Sequence, residues 1–182
     1  DARHVTGFDW SPDGTRLVFN HVKTPIANDW PSSDIAVVEV ASAKVTPFAA
    51  TAAAESALHY SPDGKWISAT VSDLPVRWAQ SNTLRVYPVG GGEPRVFSNS
   101  HDSQPNVVGW SGDGSKMYFF EAKGTGTALY SVNVATGAIS EDQYSDAVAP
   151  AVSTNKDCTM FAFVMQSSAR PPDVFIARSG DP

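Results

Sequence analysis

A five-residue stretch, Trp10-Ser11-Pro12-Asp13-Gly14, returns as Tyr60-Ser61-Pro62-Asp63-Gly64 and again as Trp110-Ser111-Gly112-Asp113-Gly114. The three serines are fifty residues apart each time, and an apolar triplet begins six residues after each: Leu17-Val18-Phe19, Ile67-Ser68-Ala69 and Met117-Tyr118-Phe119. Self-similarity at a period of this size restricts a chain to solenoids, propellers or arrays. A fourth, degenerate copy is Val152-Ser153-Thr154-Asn155-Lys156-Asp157, followed by Phe161-Ala162-Phe163. It has lost Pro and Gly, and its turn reads as about two residues longer than the others.

The residue types explain the recurrence. Proline presets φ for the second position of a type I turn, Asp bonds the backbone just ahead of it, and Gly accepts the left-handed conformation that closes a short hairpin with a bulge. The motif therefore joins two antiparallel strands, with the aromatic ending the first and the apolar triplet belonging to the second. Ser11, Pro12, Asp13, Gly14, Ser61, Pro62, Asp63, Gly64, Ser111, Asp113 and Gly114 are assigned a structural role on this basis. They lack the alternating carboxylates and terminal Glu of a calcium loop.

Strand signals fill the rest of each repeat. The first, residues 1–48, reads as strands at 5–10, 16–21, 34–40 and 44–47, with a loop at 23–33 whose prolines argue against regular structure. The second, 49–98, reads as strands at 58–60, 66–71, 83–88 and 94–97, preceded by a short helix over 49–57 and interrupted by a loop at 72–80. The third, 99–144, reads as 106–110, 116–122, 128–134 and a weak strand near 138–139. The fourth, 145–182, reads as 149–153, 160–165 and 173–177, leaving no sequence for a last strand. That shortfall, and a start at Asp1 without Met, read as a chain processed or excised from a larger design. Four antiparallel strands per repeat fit the blades of an all-β, partial β-propeller of about four blades, drawn from a larger one. A β-sandwich does not predict the same turn in the same place three times.

Composition narrows the partners. The 182 residues are 42% hydrophobic and 18% charged, as in a globular chain. A net charge of −6 with scattered Lys and Arg supplies no basic stripe to release counterions from phosphates, so nucleic acid is not expected as a partner. No apolar run approaches a membrane span, and no membrane partner is expected. Gly90-Gly91-Gly92 lacks a following Lys-Ser or Lys-Thr and reads as a hairpin loop. The G-x-G of Gly124-Thr125-Gly126 has no helix after it and is a turn. His4, His21, His59 and His101 are spread singly, so no metal and no cofactor is expected. Cys158 has no partner for an internal disulfide.

At its Ser-Pro-Asp-Gly turns, flanked by Trp or Tyr and an apolar triplet, the sequence resembles the propeller repeats of the TolB type. These repeats also build the propeller of the prolyl oligopeptidase family, which includes dipeptidyl and acylaminoacyl peptidases. Phe120-Glu121-Ala122-Lys123-Gly124-Thr125 and Ala169-Arg170-Pro171-Pro172-Asp173-Val174-Phe175-Ile176-Ala177 look like the final blades of bacterial members. The resemblance covers nearly the whole chain. It implies a non-catalytic domain that covers the active site of a serine peptidase and screens or helps recognise peptide substrates. Its partners would be the α/β-hydrolase domain of the same parent chain and those peptides, in the periplasm or cytoplasm of a bacterium. The chain contains no G-x-S-x-G nucleophile elbow and no alternation of strands with long helices, so it is itself expected to be inactive. The alternative is a TolB-like propeller acting as a protein or peptide interaction module. The resemblance places Asp29, Trp30, Arg77, Trp78, Glu121 and Arg170 on the propeller face that looks at the active site, as a substrate-facing rim. Terminal blades with bare apolar faces are expected to make the chain self-associate, or else close tightly as a four-bladed ring.

Overall fold

The computed structural model describes residues 3–97 and 100–179. The fold is all-β: fifteen strands form four antiparallel sheets, with a single short 3₁₀ helix among the described residues. Contacts divide the chain into two compact units, Asp1–Ser98 and Asn99–Pro182. The boundary drawn from sequence between the second and third repeats falls on residues 98 and 99, outside the described residues.

In the first unit, β1 (His4–Trp10), β2 (Arg16–Val22), β3 (Asp34–Glu39) and β4 (Val45–Ala49) form one sheet in chain order. β5 (Glu55–Tyr60), β6 (Trp66–Ser72), β7 (Asn82–Pro88) and β8 (Arg95–Phe97) form the next in the same manner. In the second unit, β9 (Asn106–Trp110), β10 (Lys116–Lys123), β11 (Gly126–Asn133) and β12 (Ile139–Ser145) form a third. β13 (Val148–Thr154), β14 (Met160–Ser167) and β15 (Arg170–Arg178) form a three-stranded fourth. These are consecutive blades of a partial β-propeller, the last contributing three strands among the described residues.

Each Ser-x-Asp-Gly turn is built alike. The serine N–H donates to the carbonyl five residues on, at 2.9 Å in all three copies. The serine hydroxyl donates to the aspartate at 2.6, 2.7 and 2.6 Å. The glycines take φ of +70°, +69° and +69°. The aspartate also accepts the N–H two residues ahead, from Thr15, Lys65 and Ser115. Hydrogen bonds from the serine hydroxyl and from Thr15 or Ser115 hold Asp13 and Asp113 down to about 2.

The fourth turn is not longer. Asn155 N–H donates to Met160 O and Cys158 N–H to Asn155 O, both at 3.1 Å, so Asn155 stands where the serines stand and Cys158 where the glycines stand. Cys158 adopts φ +54°, a left-handed conformation for a non-glycine residue. The expected extra length came from aligning the copy on Ser153.

Four further expectations change. The Ala-rich stretch at 49–57 is not helical: β4 ends at Ala49, a bend follows, and β5 begins at Glu55. Ala53 and Ala54 are buried in the core, which overrides their weak helical preference. The 23–33 loop holds a 3₁₀ helix, Ala27–Ser32, with Pro31 inside it; one turn of this kind tolerates the ring. The weak strand near 138–139 is a full seven-residue strand, β12. β15 begins at Arg170 and runs through Pro171 and Pro172, whereas the sequence suggested a loop. Met165 pairs Asp173 and Ser167 pairs Arg170, so the two prolines face one residue across a bulge on an edge strand, where missing donors cost little.

The sheets pack face to face within each unit. Val18, Ile35, Val37 and Ala49 of the first blade bury against Leu58, Tyr60, Ile67, Ala69 and Val71 of the second. In the second unit Tyr118 and Leu129 meet Cys158, Phe161 and Phe163. Side chains of this size contribute about 1.5–3 kcal/mol each when fully buried.

Candidate functional site

Two long connections set the geometry at one end of the first unit. The 23–33 loop is drawn tight by its own side chains: Thr24 Oγ1 donates to Asp29 Oδ2 at 2.5 Å, and Ser32 Oγ donates to Asp29 O at 2.6 Å. Lys23 N–H closes the base by donating to Ser32 Oγ at 3.0 Å. The 73–81 loop is closed by Asp73, whose N–H donates to Ser81 O at 2.7 Å. The Asp73 carboxylate accepts Arg77 Nη2 at 2.8 Å.

These loops bring Trp30 and Trp78 together, with ring centroids 5.3 Å apart and planes tilted by 53°. Trp30 is half-buried, but Trp78 is 72% exposed. An indole that open, braced by a second indole, leaves a π-face available for stacking or cation–π contact. Ile26 and Leu74, in the same two loops, are also exposed. Asp29 and Arg77, expected as ligand-facing charges, are both engaged within their loops.

The remaining two rim residues lie in the second unit and differ sharply. Glu121 is no exposed loop charge: it sits on β10, fully buried, and its carboxylate accepts the N–H groups of Asp102 at 3.1 Å and Gln104 at 2.9 Å. It anchors the chain entering β9. The sequence pattern already put Glu121 on a strand; the resemblance assigned it to the rim, whereas in the structure its carboxylate is turned into the blade and buried. Arg170 is exposed and lines a cavity of about 780 Å³ with Asp146, Met165, Asp173 and Phe175. A smaller cavity of about 180 Å³ adjoins it through Ser145, Met165 and Phe175 and is walled by Leu129, Tyr144 and Phe163.

A carboxyl group that sequence reasoning passed over is the most perturbed acid of the first unit. Glu55 opens β5 with no exposure to solvent. Thr51 Oγ1 donates to its Oε1 at 2.5 Å, while Oε2 has no hydrogen-bond partner. Burial pushes the carboxyl up to about 7, and Asp34 adds to the effect while Arg85 opposes it. Nothing around Glu55 in the sequence signalled this; its position opposite Val71 is a product of the sheet pairing. Among the described residues, no three His, Cys, Asp or Glu side chains converge as a metal site would require.

No family profile and no curated protein sequence matches the chain. Solved structures do resemble it in fold. TolB from Acinetobacter baumannii aligns with a TM-score of 0.68 at 17% identity, over 95% of this chain and 40% of that one. An oligogalacturonate lyase in complex with manganese aligns at 0.77 and 12%, over 98% of this chain and 52% of the other. A puromycin-hydrolyzing peptidase from Mycobacterium tuberculosis aligns at 0.71 and 13%, over 98% and 28%. The chain thus spans between about a quarter and about half the length of these proteins. At such identities the likeness establishes the propeller-type fold that TolB proteins and peptidase propellers share.

Proposed function

We propose that this chain is a non-catalytic propeller module of a serine peptidase, and that its loop ends help recognise peptide substrates for an α/β-hydrolase domain. The observation that carries this reading is the exposed Trp78 indole braced by Trp30 on two self-locked loops. A rigid aromatic anchor of this type costs little conformational entropy when it binds and is common at peptide-recognition surfaces. The likeness to a peptidase and the Arg170-Pro171-Pro172-Asp173 stretch support the peptidase context. Arg170 and its cavity in the second unit would then offer a cation and apolar walls to a peptide, and Trp30, Arg77 and Trp78 an aromatic surface in the first.

The test uses the exposed indole as its own reporter. Titrating the chain with short proline-containing peptides should quench tryptophan fluorescence saturably, and Trp78→Ala should abolish the response while leaving the urea unfolding midpoint unchanged. An equal response in Trp78→Ala would remove the aromatic pair from the recognition role. The second reading, a TolB-like interaction module, is favoured by the likeness to TolB itself. Under it, a folded protein partner, rather than short peptides, would protect Trp78 from quenching by acrylamide.

A further inference from the structure

The two loops that carry Trp30 and Trp78 take root on one pair of residues, Ala54 and Glu55, where the chain enters the second blade. The Glu55 N–H donates to Ser33 O at 2.9 Å, and Ser33 Oγ donates back to Glu55 O at 2.5 Å. The Ser33 N–H in turn donates to Trp30 O at 3.1 Å. On the other side the Ala54 N–H donates to Ser72 Oγ at 2.9 Å, and the Ser72 N–H donates to Ala54 O at 3.0 Å. Ser72 leads directly into Asp73, whose carboxylate holds Arg77, the neighbour of Trp78. Ser33, Ala54, Glu55 and Ser72 are all buried, so both loops are tied to one dry junction.

The carboxyl group inside this junction is poorly provided for. Its Oε1 accepts one hydrogen bond, from Thr51, and its Oε2 accepts none. Glu121, equally buried, has a backbone donor on each oxygen. The charged groups around Glu55 do not make up the difference. Asp34 on β3 repels a charge there, and Arg85 on β7 attracts it without forming an ion pair. Tyr87, also on β7, is pushed up chiefly by burial, and a charge on Glu55 adds to the effect. His21, which pairs Asp34 across β2 and β3, is coupled to Asp34 and Arg3. A neutral acid fits this environment. A carboxylate in it is a buried charge with a single hydrogen bond, and such a charge draws in water at the expense of the packing around it. The change from one to the other falls at about 7.

We propose that Glu55 is a proton-operated latch on the aromatic pair: protonated, it lets the junction close and hold Trp30 against Trp78, and ionised, it loosens the Ser33 and Ser72 roots and parts the two indoles. The two states differ in one proton and in whether water reaches Oε2, so the junction is the two-state element and the carboxyl group biases it. Glu55 acts here as a positioning residue, through the loop roots and not by touching a ligand. The opening stands on the hydrogen bonds of the junction alone. That it regulates peptide capture, with the closed pair as the binding form, rests on the recognition role proposed above.

Paired indoles give an exciton couplet in circular dichroism, and the difference between the unaltered chain and Trp78→Phe isolates it. From about pH 5 to about pH 9 that couplet should fall by more than about half, with a midpoint near 7, while the strand signal of the sheets stays constant. Glu55→Gln should keep the full couplet over the whole range. Thr51→Val removes the one donor to the carboxyl group and should move the midpoint upward, which a merely structural role for Thr51 would not do. A couplet indifferent to pH in the unaltered chain, a transition that persists in Glu55→Gln, or loss of the strand signal at the same midpoint would each overturn the proposal. Should Glu55→Gln fail to fold, an unmoved midpoint in Thr51→Val overturns it instead. Proline-containing peptides titrated at both ends of the range address recognition separately: a couplet that titrates while no peptide binds at either pH supports the latch and removes the peptide reading.

Discussion

Asp9 and Tyr60 are joined across the seam of the first unit: the Tyr60 N–H donates to Asp9 Oδ2 at 2.8 Å, and Asp9 Oδ1 accepts the Trp10 N–H at 2.9 Å. One carboxylate thereby satisfies a backbone donor on its own blade and another on the next. Asp9→Ala should destabilise the chain by about 1–3 kcal/mol, because the Tyr60 donor is left without its acceptor. Asp9→Asn should recover most of the loss, since the amide oxygen still accepts. Urea unfolding of the two variants side by side reads this directly, and equal losses would show that charge, not acceptance, is what Asp9 supplies.

Glu55 makes stability depend on pH in a defined direction. Its folded value of about 7 lies above its ordinary 4.5, so the folded state holds a proton that the unfolded state has released. The stability it gives is therefore fully present below about 4.5 and is lost as pH rises to about 7. The full swing is roughly 3 kcal/mol at most. Burial lowers His59 and His21, which contribute in the opposite sense: their share is present above the ordinary 6.5 and lost as pH falls below it. The profile of the unaltered chain is thus flattened, and the informative quantity is its difference from Glu55→Gln. That difference should decline steadily from pH 4.5 to 7 and then level off. A constant difference would mean that Arg85 neutralises the carboxylate in the folded state.

Glu121→Ala should release the segment entering β9. With the Asp102 and Gln104 amides deprived of a charged acceptor, a cost of about 2–4 kcal/mol is expected. Faster hydrogen exchange at those two amides, with β14 and β15 unaffected, is the local signature. Glu121→Gln should retain part of the protection.

The Cys158 thiol is buried and its ionisation is pushed up, chiefly by burial. Thiolate is the reactive form, so alkylation by iodoacetamide should be slow in native buffer and rise in step with unfolding by urea. Rapid modification of the native chain would show that this turn opens on its own.

No turnover of aminoacyl or dipeptidyl chromogenic substrates is expected from this chain, since its sequence contains no G-x-S-x-G nucleophile elbow. Hydrolysis that survives purification and responds to a serine-directed inhibitor would contradict this.

The blades were legible because a turn that needs Pro, Asp and Gly leaves those letters at a fixed interval, and the strands between them carry β-branched and aromatic residues. The aromatic anchor was half legible. Tryptophans at positions 30 and 78 stood out in polar loops, but their meeting depends on how the second blade is set against the first. Glu55, Glu121 and the strand through Pro171 were not legible, for a common reason. A buried carboxylate looks like a surface one until its neighbours are placed, and a proline looks like a breaker until the bulge opposite it is seen. Local propensity carries no information about either.

The Asn155 turn has a consequence for the history of such chains. Asn155 Oδ1 accepts the Thr159 and Met160 amides at 2.9 Å, standing in for the serine of the other turns, while Asp157 Oδ1 accepts the Thr159 hydroxyl at 2.8 Å just as Asp13 accepts that of Thr15. Selection acting on the hydrogen-bond pattern lets the spelling drift while the length stays fixed. A count of Ser-Pro-Asp-Gly motifs is then only a lower bound on the number of blades, and the divergent copies will be found by holding the interval constant and ignoring the letters.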